Sequence, residues 1–152
     1  MLKHSEEISL LQHFSINENK ISQLYSVYAA KFKEHSNLWE RLAKDEKRHA
    51  ALLADLDIRY NQEIKNWQIS DNAPAILDYI GKFIDDCLHQ AENSDIKEAL
   101  NNALSLEQSM IEKKNFEIFS TVNPEITAVL EKLNRETEGH RLGLMKFLKD
   151  KI

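Results

Sequence analysis

The chain has 152 residues, a net charge of −5, three Gly, two Pro and one cysteine. This length predicts a single domain over residues 1–152, and so few turn residues favour helices over a strand-rich fold. The acidic balance argues against a nucleic-acid partner, the lone cysteine excludes a C-x-x-C centre, and no stretch approaches the roughly 20 apolar residues of a membrane span.

Apolar residues recur at helical spacing in five segments, which predict helices over about 5–32, 36–60, 74–91, 95–120 and 124–149. Ser36, Asn123, and either Ser94 or Asp95 are expected N-caps, and Pro74 suits a first helical turn. "SINE" at 15–18 has the pattern of a capping box that would start a new helix. The apolar face continues across it, however, and favours one long first helix.

The lengths of the connections predict how these helices are arranged. Short turns join the first two helices and the last two, whereas a long connection between the pairs contains the helix over 74–91. We therefore predict an all-α, ferritin-like four-helix bundle with one long crossover connection containing a short extra helix. The N-terminus "MLKHSEEISL" lacks the apolar run of a signal peptide, which favours a cytoplasmic protein.

Four of the predicted helices carry ionisable residues on the face that should be buried. These are Glu18 on the first, Glu46 and His49 on the second, Glu107 on the 95–120 helix and His140 on the last. Burying an unpaired carboxylate costs several kcal/mol or shifts its pKa until it is neutral. A di-metal site in a bundle uses Glu residues and Glu-x-x-His pairs in this way, because the i, i+3 spacing places both ligands on one face.

Each of these residues also has an interpretation without metal. Glu46 and His49 lie in "KDEKRH", which is typical of a solvated, salt-bridged helix face. Glu18 pairs with Ser15 in the capping-box pattern. His140 is also compatible with a core histidine that hydrogen-bonds a backbone carbonyl or a glutamate.

Two stretches resemble the rubrerythrin-like branch of the ferritin superfamily, in which E-x6-Y is followed by E-x-x-H. "ENKISQLY" contains Glu18 and Tyr25, and "LWERLAKDEKRHAALLADL" at 38–56 contains Glu46 and His49. The resemblance covers roughly 8–58 and 96–148. The chain has no C-x-x-C pairs of the kind that form the family's appended rubredoxin iron site.

The second half of the chain departs from the family pattern at two positions. Lys114 stands where the second Tyr is expected, and Thr137 stands where a Glu would precede His140 by three residues. These departures predict that the half of the site on the last two helices is the weaker one. Glu136, four residues before His140, is the candidate replacement ligand.

The resemblance implies two iron ions, or one, with manganese as an alternative, and chemistry on oxygen, peroxide or ferrous iron. Glu18, Glu46 and Glu107 would bridge the ions or bind one of them, His49 and His140 would be terminal ligands, and Tyr25 would hydrogen-bond a carboxylate. Electrons would come from an external donor, and a homodimer is the default expectation. The alternative is a metal-free bundle that acts as a structural or interaction module.

Overall fold

The structure, a computed structural model, describes residues 9–64, 73–111 and 123–151. The regular structure of these residues is helical, as predicted. Five α-helices occur in chain order: α1 Leu10–Lys31, α2 Ser36–Ile64, α3 Ala73–Gln90, α4 Ile96–Ile111 and α5 Pro124–Lys151. Two short 3-10 turns, Lys33–His35 and Ala91–Asn93, follow α1 and α3.

Helix α1 is continuous through residues 15–18, so the capping-box interpretation is wrong. The helix is capped earlier, where the Ser9 hydroxyl accepts a hydrogen bond of 3.0 Å from the Gln12 backbone N–H. Ser15 instead donates to the Ala50 carbonyl of α2 at 2.8 Å. The side chain of Glu18 is therefore not needed at a helix start.

The start and end of α2 differ from the sequence prediction. Ser36 has helical angles of φ −58° and ψ −34°, so it is the first helical residue and not an extended N-cap. The helix continues to Ile64, beyond the expected end near residue 60, although Tyr60 itself has the non-helical angles φ −123° and ψ 20°.

The later helix starts follow the predicted caps. The Asp95 carboxylate accepts from the Glu98 N–H at 2.8 Å, so Asp95 is the cap of α4 rather than Ser94. The Asn123 side chain accepts from the Glu125 and Ile126 N–H groups at 2.9 and 3.2 Å. These bonds satisfy amide groups that have no partner inside the helix.

Helices α1 and α2 form the closest pair, and two hydroxyl groups align them. Ser15 donates to the Ala50 carbonyl at 2.8 Å, and Ser22 donates to the Ala43 carbonyl at 2.7 Å. We call these two bonds the serine bracket. Because both partners on α2 are alanines, the two backbones can approach closely enough for a hydroxyl to reach a helical carbonyl.

Helix α3 packs on the other side of α1. The Asn17 amide donates to the Leu77 carbonyl at 3.0 Å, and Lys20 pairs with Asp85 at 3.1 Å. A Cβ at Gly81 would lie 3.1 Å from the Asn17 side-chain oxygen, so this close approach favours glycine.

Helix α4 packs mainly against α5. The inward-facing residues of α2, spaced 4, 3, 4 and 3 apart, are all buried, whereas His140 and Phe147 on the corresponding face of α5 are only partly buried. Buried seam residues are Leu42, Glu46, His49, Leu53 and Leu56 on α2 and Leu133, Thr137 and Leu144 on α5. Within the three described ranges, no helix combines the length and apolarity required to cross a membrane.

Candidate metal centre

Three ionisable side chains of α1 and α2 meet in the interior. Glu18, Glu46 and His49 are 5%, 1% and 0% exposed. One potential ligand atom from each lies within 4.8 Å of the others. We call this set the Glu18 group. These three residues meet because Glu46 and His49 lie one turn apart on the same face of α2, and the serine bracket holds that face against Glu18 of α1.

A second set adds residues from α4 and α5. Glu46, Glu107 and His140 also offer ligand atoms within 4.8 Å of one another, and we call them the Glu107 group. His140 Nδ1 lies 3.0 Å from Glu46 Oε1 and 3.6 Å from Glu107 Oε1. The two groups therefore share Glu46, and residues from four helices converge on one carboxylate.

The predicted role of Tyr25 as a hydrogen-bond donor to a carboxylate agrees with the geometry. Its hydroxyl donates to Glu107 Oε1 at 2.9 Å, and its side chain is fully buried. Burial, followed by the charge of Glu107, raises the pKa of Tyr25 well above its usual value. The phenol therefore stays protonated and remains a donor.

Several buried polar atoms of the Glu18 group have no hydrogen-bond partner in the described part of the chain. They are Glu18 Oε2 and both ring nitrogens of His49. His49 Nδ1 is 3.5 Å from Glu46 Oε2, but the two atoms do not form a hydrogen bond. Unsatisfied buried polar atoms are rare and call for an explanation, and a cation held by these atoms would supply one.

The buried carboxylates differ in protonation. Burial and then the charge of Glu46 raise the pKa of Glu18 well above its usual value, and the same two causes raise that of Glu107 to about 8. Burial also acts to raise the pKa of Glu46, but hydrogen bonds with Glu18 and His140 outweigh it and hold this pKa well below the usual range. Glu46 is therefore the anion of the cluster.

His140 is the matching cation. Burial acts to lower its pKa, but the carboxylates of Glu107 and Glu46 outweigh burial and raise it to about 11. The His140 imidazolium thus faces the Glu46 carboxylate. A divalent cation that binds here has to displace protons from these groups, so its affinity depends on pH.

Asp45 is a member of the site that the sequence did not indicate. Its Oδ2 lies 2.9 Å from His140 Nε2, so His140 is held between Asp45 and Glu46, which are neighbours on α2. Ligating histidines usually give their second ring nitrogen to a carboxylate in this way. The adjacency of Asp45 to Glu46 is visible in the sequence, but its partner on α5 depends on how α2 and α5 pack.

Glu136 lies outside both groups. Its carboxylate pairs with the Arg48 guanidinium, and hydrogen bonds from Arg48 lower the pKa of Glu136 below its usual value. Glu136 Oε1 is also 3.6 Å from His49 Nε2. The predicted replacement ligand is thus close to the cluster, but it faces the outer nitrogen of His49.

Of the two departures from the family pattern, the structure describes Thr137 but not Lys114. Thr137 is 2% exposed and lies on the buried seam one turn before His140, so α5 brings no carboxylate to that point. Lys114 lies outside the described residues.

Comparison with known proteins gives no match: no family model, curated protein or solved structure is significantly similar to this chain. The candidate site therefore rests on its own residues.

The donor set fits divalent iron or manganese. It offers three carboxylates and two imidazoles, and oxygen and nitrogen ligands of this kind suit both metals. The shared Glu46 would contribute to both sites, and each group adds one further carboxylate and one imidazole. The buried atoms without partners belong to this same set, so the residues present fit a pair of cations.

Proposed function

We propose that this chain is a metal-binding protein with a di-metal carboxylate centre, related to the rubrerythrin-like branch of the ferritin superfamily. In this proposal α1, α2, α4 and α5 form a ferritin-like four-helix bundle, and α3 belongs to the crossover connection. The two donor groups would each hold one cation, either iron or manganese. One or two ions would be bound, depending on whether both groups fill.

The sharing of Glu46 carries this proposal. A carboxylate that is 1% exposed and belongs to two donor groups is costly to bury for structure alone. Two divalent cations bring +4, and ionised Glu18, Glu46 and Glu107 bring −3. Binding would therefore replace the protons of the cluster with metal charge, and the carboxylates would no longer repel one another.

The residues of the chain have separable roles in the proposed centre. Glu46 would bridge the two cations, while Glu18 and Glu107 would each complete one group. Tyr25 orients Glu107 through its 2.9 Å hydrogen bond, and Asp45 orients His140 through its 2.9 Å contact. Leu24, Leu53 and Leu106, on the helices that carry the glutamates, are also buried.

The bound metals would supply oxidation–reduction chemistry on oxygen, peroxide or ferrous iron. Beyond the metals themselves, this chain brings no second redox centre of the C-x-x-C type, because it has a single cysteine. An external electron donor is therefore part of the proposal, and so is a homodimer as the default assembly.

A second candidate function is a metal-free bundle that acts as a structural or interaction module. One observation favours it: His140 contacts both Asp45 and Glu46, so a charged His140 is paired with carboxylates without any metal. In that case His140 is the permanent internal cation of the cluster. The atoms of Glu18 and His49 that lack partners count against this candidate.

Metal content and chelator-dependent melting test the two candidates. Protein prepared without chelator should contain about two equivalents of iron or manganese, and chelation should lower its melting temperature because a ligand of the folded state stabilises it. Metal analysis and thermal melts with manganese added back measure both effects. A melting curve indifferent to chelator and to added iron or manganese would reject the centre and favour the metal-free bundle.

A further inference from the structure

The two histidines of the cluster are oriented alike, although only His140 is within hydrogen-bond distance of its carboxylates and the contacts of His49 are longer. His140 turns Nδ1 to Glu46 at 3.0 Å and Nε2 to Asp45 at 2.9 Å. His49 turns Nδ1 to Glu46 at 3.5 Å and Nε2 to Glu136 at 3.6 Å. The rings stack at a centroid distance of 5.7 Å and an angle of 19°. Each ring therefore faces the shared carboxylate with one nitrogen and an outer carboxylate with the other.

Each outer carboxylate lies on the opposite helix from the histidine that it contacts. Asp45 of α2 supports the histidine of α5, and Glu136 of α5 lies beside the histidine of α2. Arg48 joins them, since its guanidinium is 3.5 Å from Asp45 and pairs with Glu136. A single guanidinium thus contacts both outer carboxylates.

We propose that Arg48 is a positioning residue that holds Asp45 and Glu136 against the Nε2 atoms of the two histidines. It thereby fixes both imidazoles with Nδ1 directed at Glu46. This inference rests on the proposed metal centre and adds a role for Glu136, which supports His49 and does not bind the metal.

The physical reason lies in the exposure of the outer groups. The side chains of Asp45 and Glu136 are 33% and 26% exposed, so each has room to turn toward solvent. A planar guanidinium with five donors can restrain two carboxylates at once, which an ammonium does less well. A restrained carboxylate keeps the proton on Nε2 and leaves Nδ1 free to bind a cation.

Arg59 provides a closely matched control on the same helix. Its side chain is 43% exposed, as is that of Arg48. It also pairs with one carboxylate of α2, Asp55 at 2.9 Å, and one of α5, Glu125. It lies eleven residues further along, or about 16 Å from Arg48 along the helix axis. Arg59 therefore bridges the same two helices away from the metal centre.

The first measurement is calorimetric titration with Zn²⁺, a diamagnetic probe cation. We expect Arg48→Gln and Glu136→Gln each to lower Zn²⁺ affinity by about tenfold or more, the usual effect of removing an outer partner of a ligand. Arg59→Gln should change it less than about twofold, and Arg48→Lys should recover part of the loss. The double variant Arg48→Gln with Glu136→Gln should lose much less than the product of the single effects, because Arg48 acts partly through Glu136.

The second measurement is histidine ¹⁵N NMR of the Zn²⁺-loaded protein. Both His49 and His140 should show a protonated Nε2 and a Zn²⁺-bound Nδ1 in the wild type. Arg48→Gln should speed solvent exchange of both Nε2 protons, while Arg59→Gln leaves them unchanged. A purely structural ion pair would not produce this difference.

The possible results separate this inference from the proposed function. If wild type binds Zn²⁺ and Arg48→Gln behaves as Arg59→Gln does, the positioning role is wrong although the centre stands. If Arg48→Gln raises the Zn²⁺ affinity instead of lowering it, Arg48 holds Glu136 away from the metal and Glu136 is a ligand. That result would overturn the inference. If wild type binds no Zn²⁺, iron or manganese, the proposed centre itself fails.

Discussion

The Glu18 group and the Glu107 group share Glu46 but differ in how the protein satisfies their remaining atoms. In the Glu107 group, Glu107 accepts a hydrogen bond from Tyr25, and His140 contacts Glu46 and Asp45. In the Glu18 group, three buried atoms of Glu18 and His49 have no such partner among the described residues. A cation at the Glu107 group has to replace the hydrogen bonds of Tyr25 and His140, whereas one at the Glu18 group meets three atoms that form no hydrogen bond.

This difference ranks the two groups. Leaving a buried polar atom unsatisfied costs about 1–3 kcal/mol, and a bound cation would remove that cost in the Glu18 group. We therefore expect the Glu18 group to bind metal more tightly. The ranking agrees with the sequence prediction of a weaker half on the last two helices, and the buried Thr137 supports it because α5 adds no carboxylate there.

The largest expected effect comes from replacing Glu46, the residue that the two groups share. Glu46→Ala should abolish metal binding at both groups, lowering affinity by more than about 100-fold, because it deletes the one shared ligand. Metal analysis and calorimetric titration with Mn²⁺ measure the loss. Glu40→Ala, an exposed position of the same helix, is the control and should bind as wild type does. An E46A protein that still binds one equivalent would show that the carboxylate is not shared.

A paired substitution separates the two groups. Glu18→Gln and Glu107→Gln each remove one charge, and each should reduce the stoichiometry from about two Mn²⁺ to about one. Glu18→Gln should remove the tighter step of the titration, and Glu107→Gln the weaker one. Two equivalents bound by the Glu18→Gln protein would exclude Glu18 as a ligand, and loss of the tighter step in Glu107→Gln would reverse the ranking.

The pH dependence sharpens the comparison further. A cation at the Glu107 group has to displace a proton from Glu107, with a pKa of about 8, and another from His140, with a pKa of about 11. Its affinity should rise about 100-fold per pH unit below pH 8 and about tenfold per unit above it. At the Glu18 group, the raised pKa of Glu18 means that a cation has to displace one proton from this carboxyl group. Metal affinity at the Glu18 group should therefore rise by no more than about tenfold per pH unit.

Titration calorimetry in buffers of different ionisation enthalpy counts these protons directly. Measurements of Mn²⁺ binding between pH 6 and 9 would give the two slopes, with Glu107→Gln isolating the Glu18 group. Equal slopes for the two groups would mean that His140 keeps its proton when metal binds and is not a ligand.

The smallest expected effect concerns Tyr25. Tyr25→Phe removes the hydrogen bond to Glu107 without changing the shape of the ring. Metal affinity at the Glu107 group should fall by about tenfold, while the Glu18 group is unaffected. Tyr79→Phe is the control, because Tyr79 is 75% exposed. An equal loss at both groups would indicate general disruption of the core.

Residues that act within one helix could be predicted from the sequence. The seam of α2 placed Glu46 and His49 on one buried face, and the proline and asparagine signals placed the start of α5. The structure was needed to rule out the capping box at Glu18, because the Ser15–Glu18 spacing fits a helix start while the apolar face continues through the same residues.

Contacts between helices could not be predicted in the same way. Asp45 reaches His140 and Arg48 reaches Glu136 only because of the rotation of α2 against α5. Sequence spacing fixes which side chains share a face of one helix, but it carries no information on how two faces are turned toward each other. The neighbours of Glu46 on its own helix therefore looked like an ordinary charged surface.

The serine bracket has a consequence for how this site could be moved or redesigned. Its two bonds join residues seven apart on α1 to residues seven apart on α2 and enclose Glu18, Glu46 and His49. The segments 15–22 and 43–50 thus contain three of the candidate ligands together with two hydrogen bonds that hold the register of the two helices without using a ligand. A designer could graft these sixteen positions onto another antiparallel helix pair, and replacing both serines with alanine would let the transplanted helices slide and the three ligands lose their alignment.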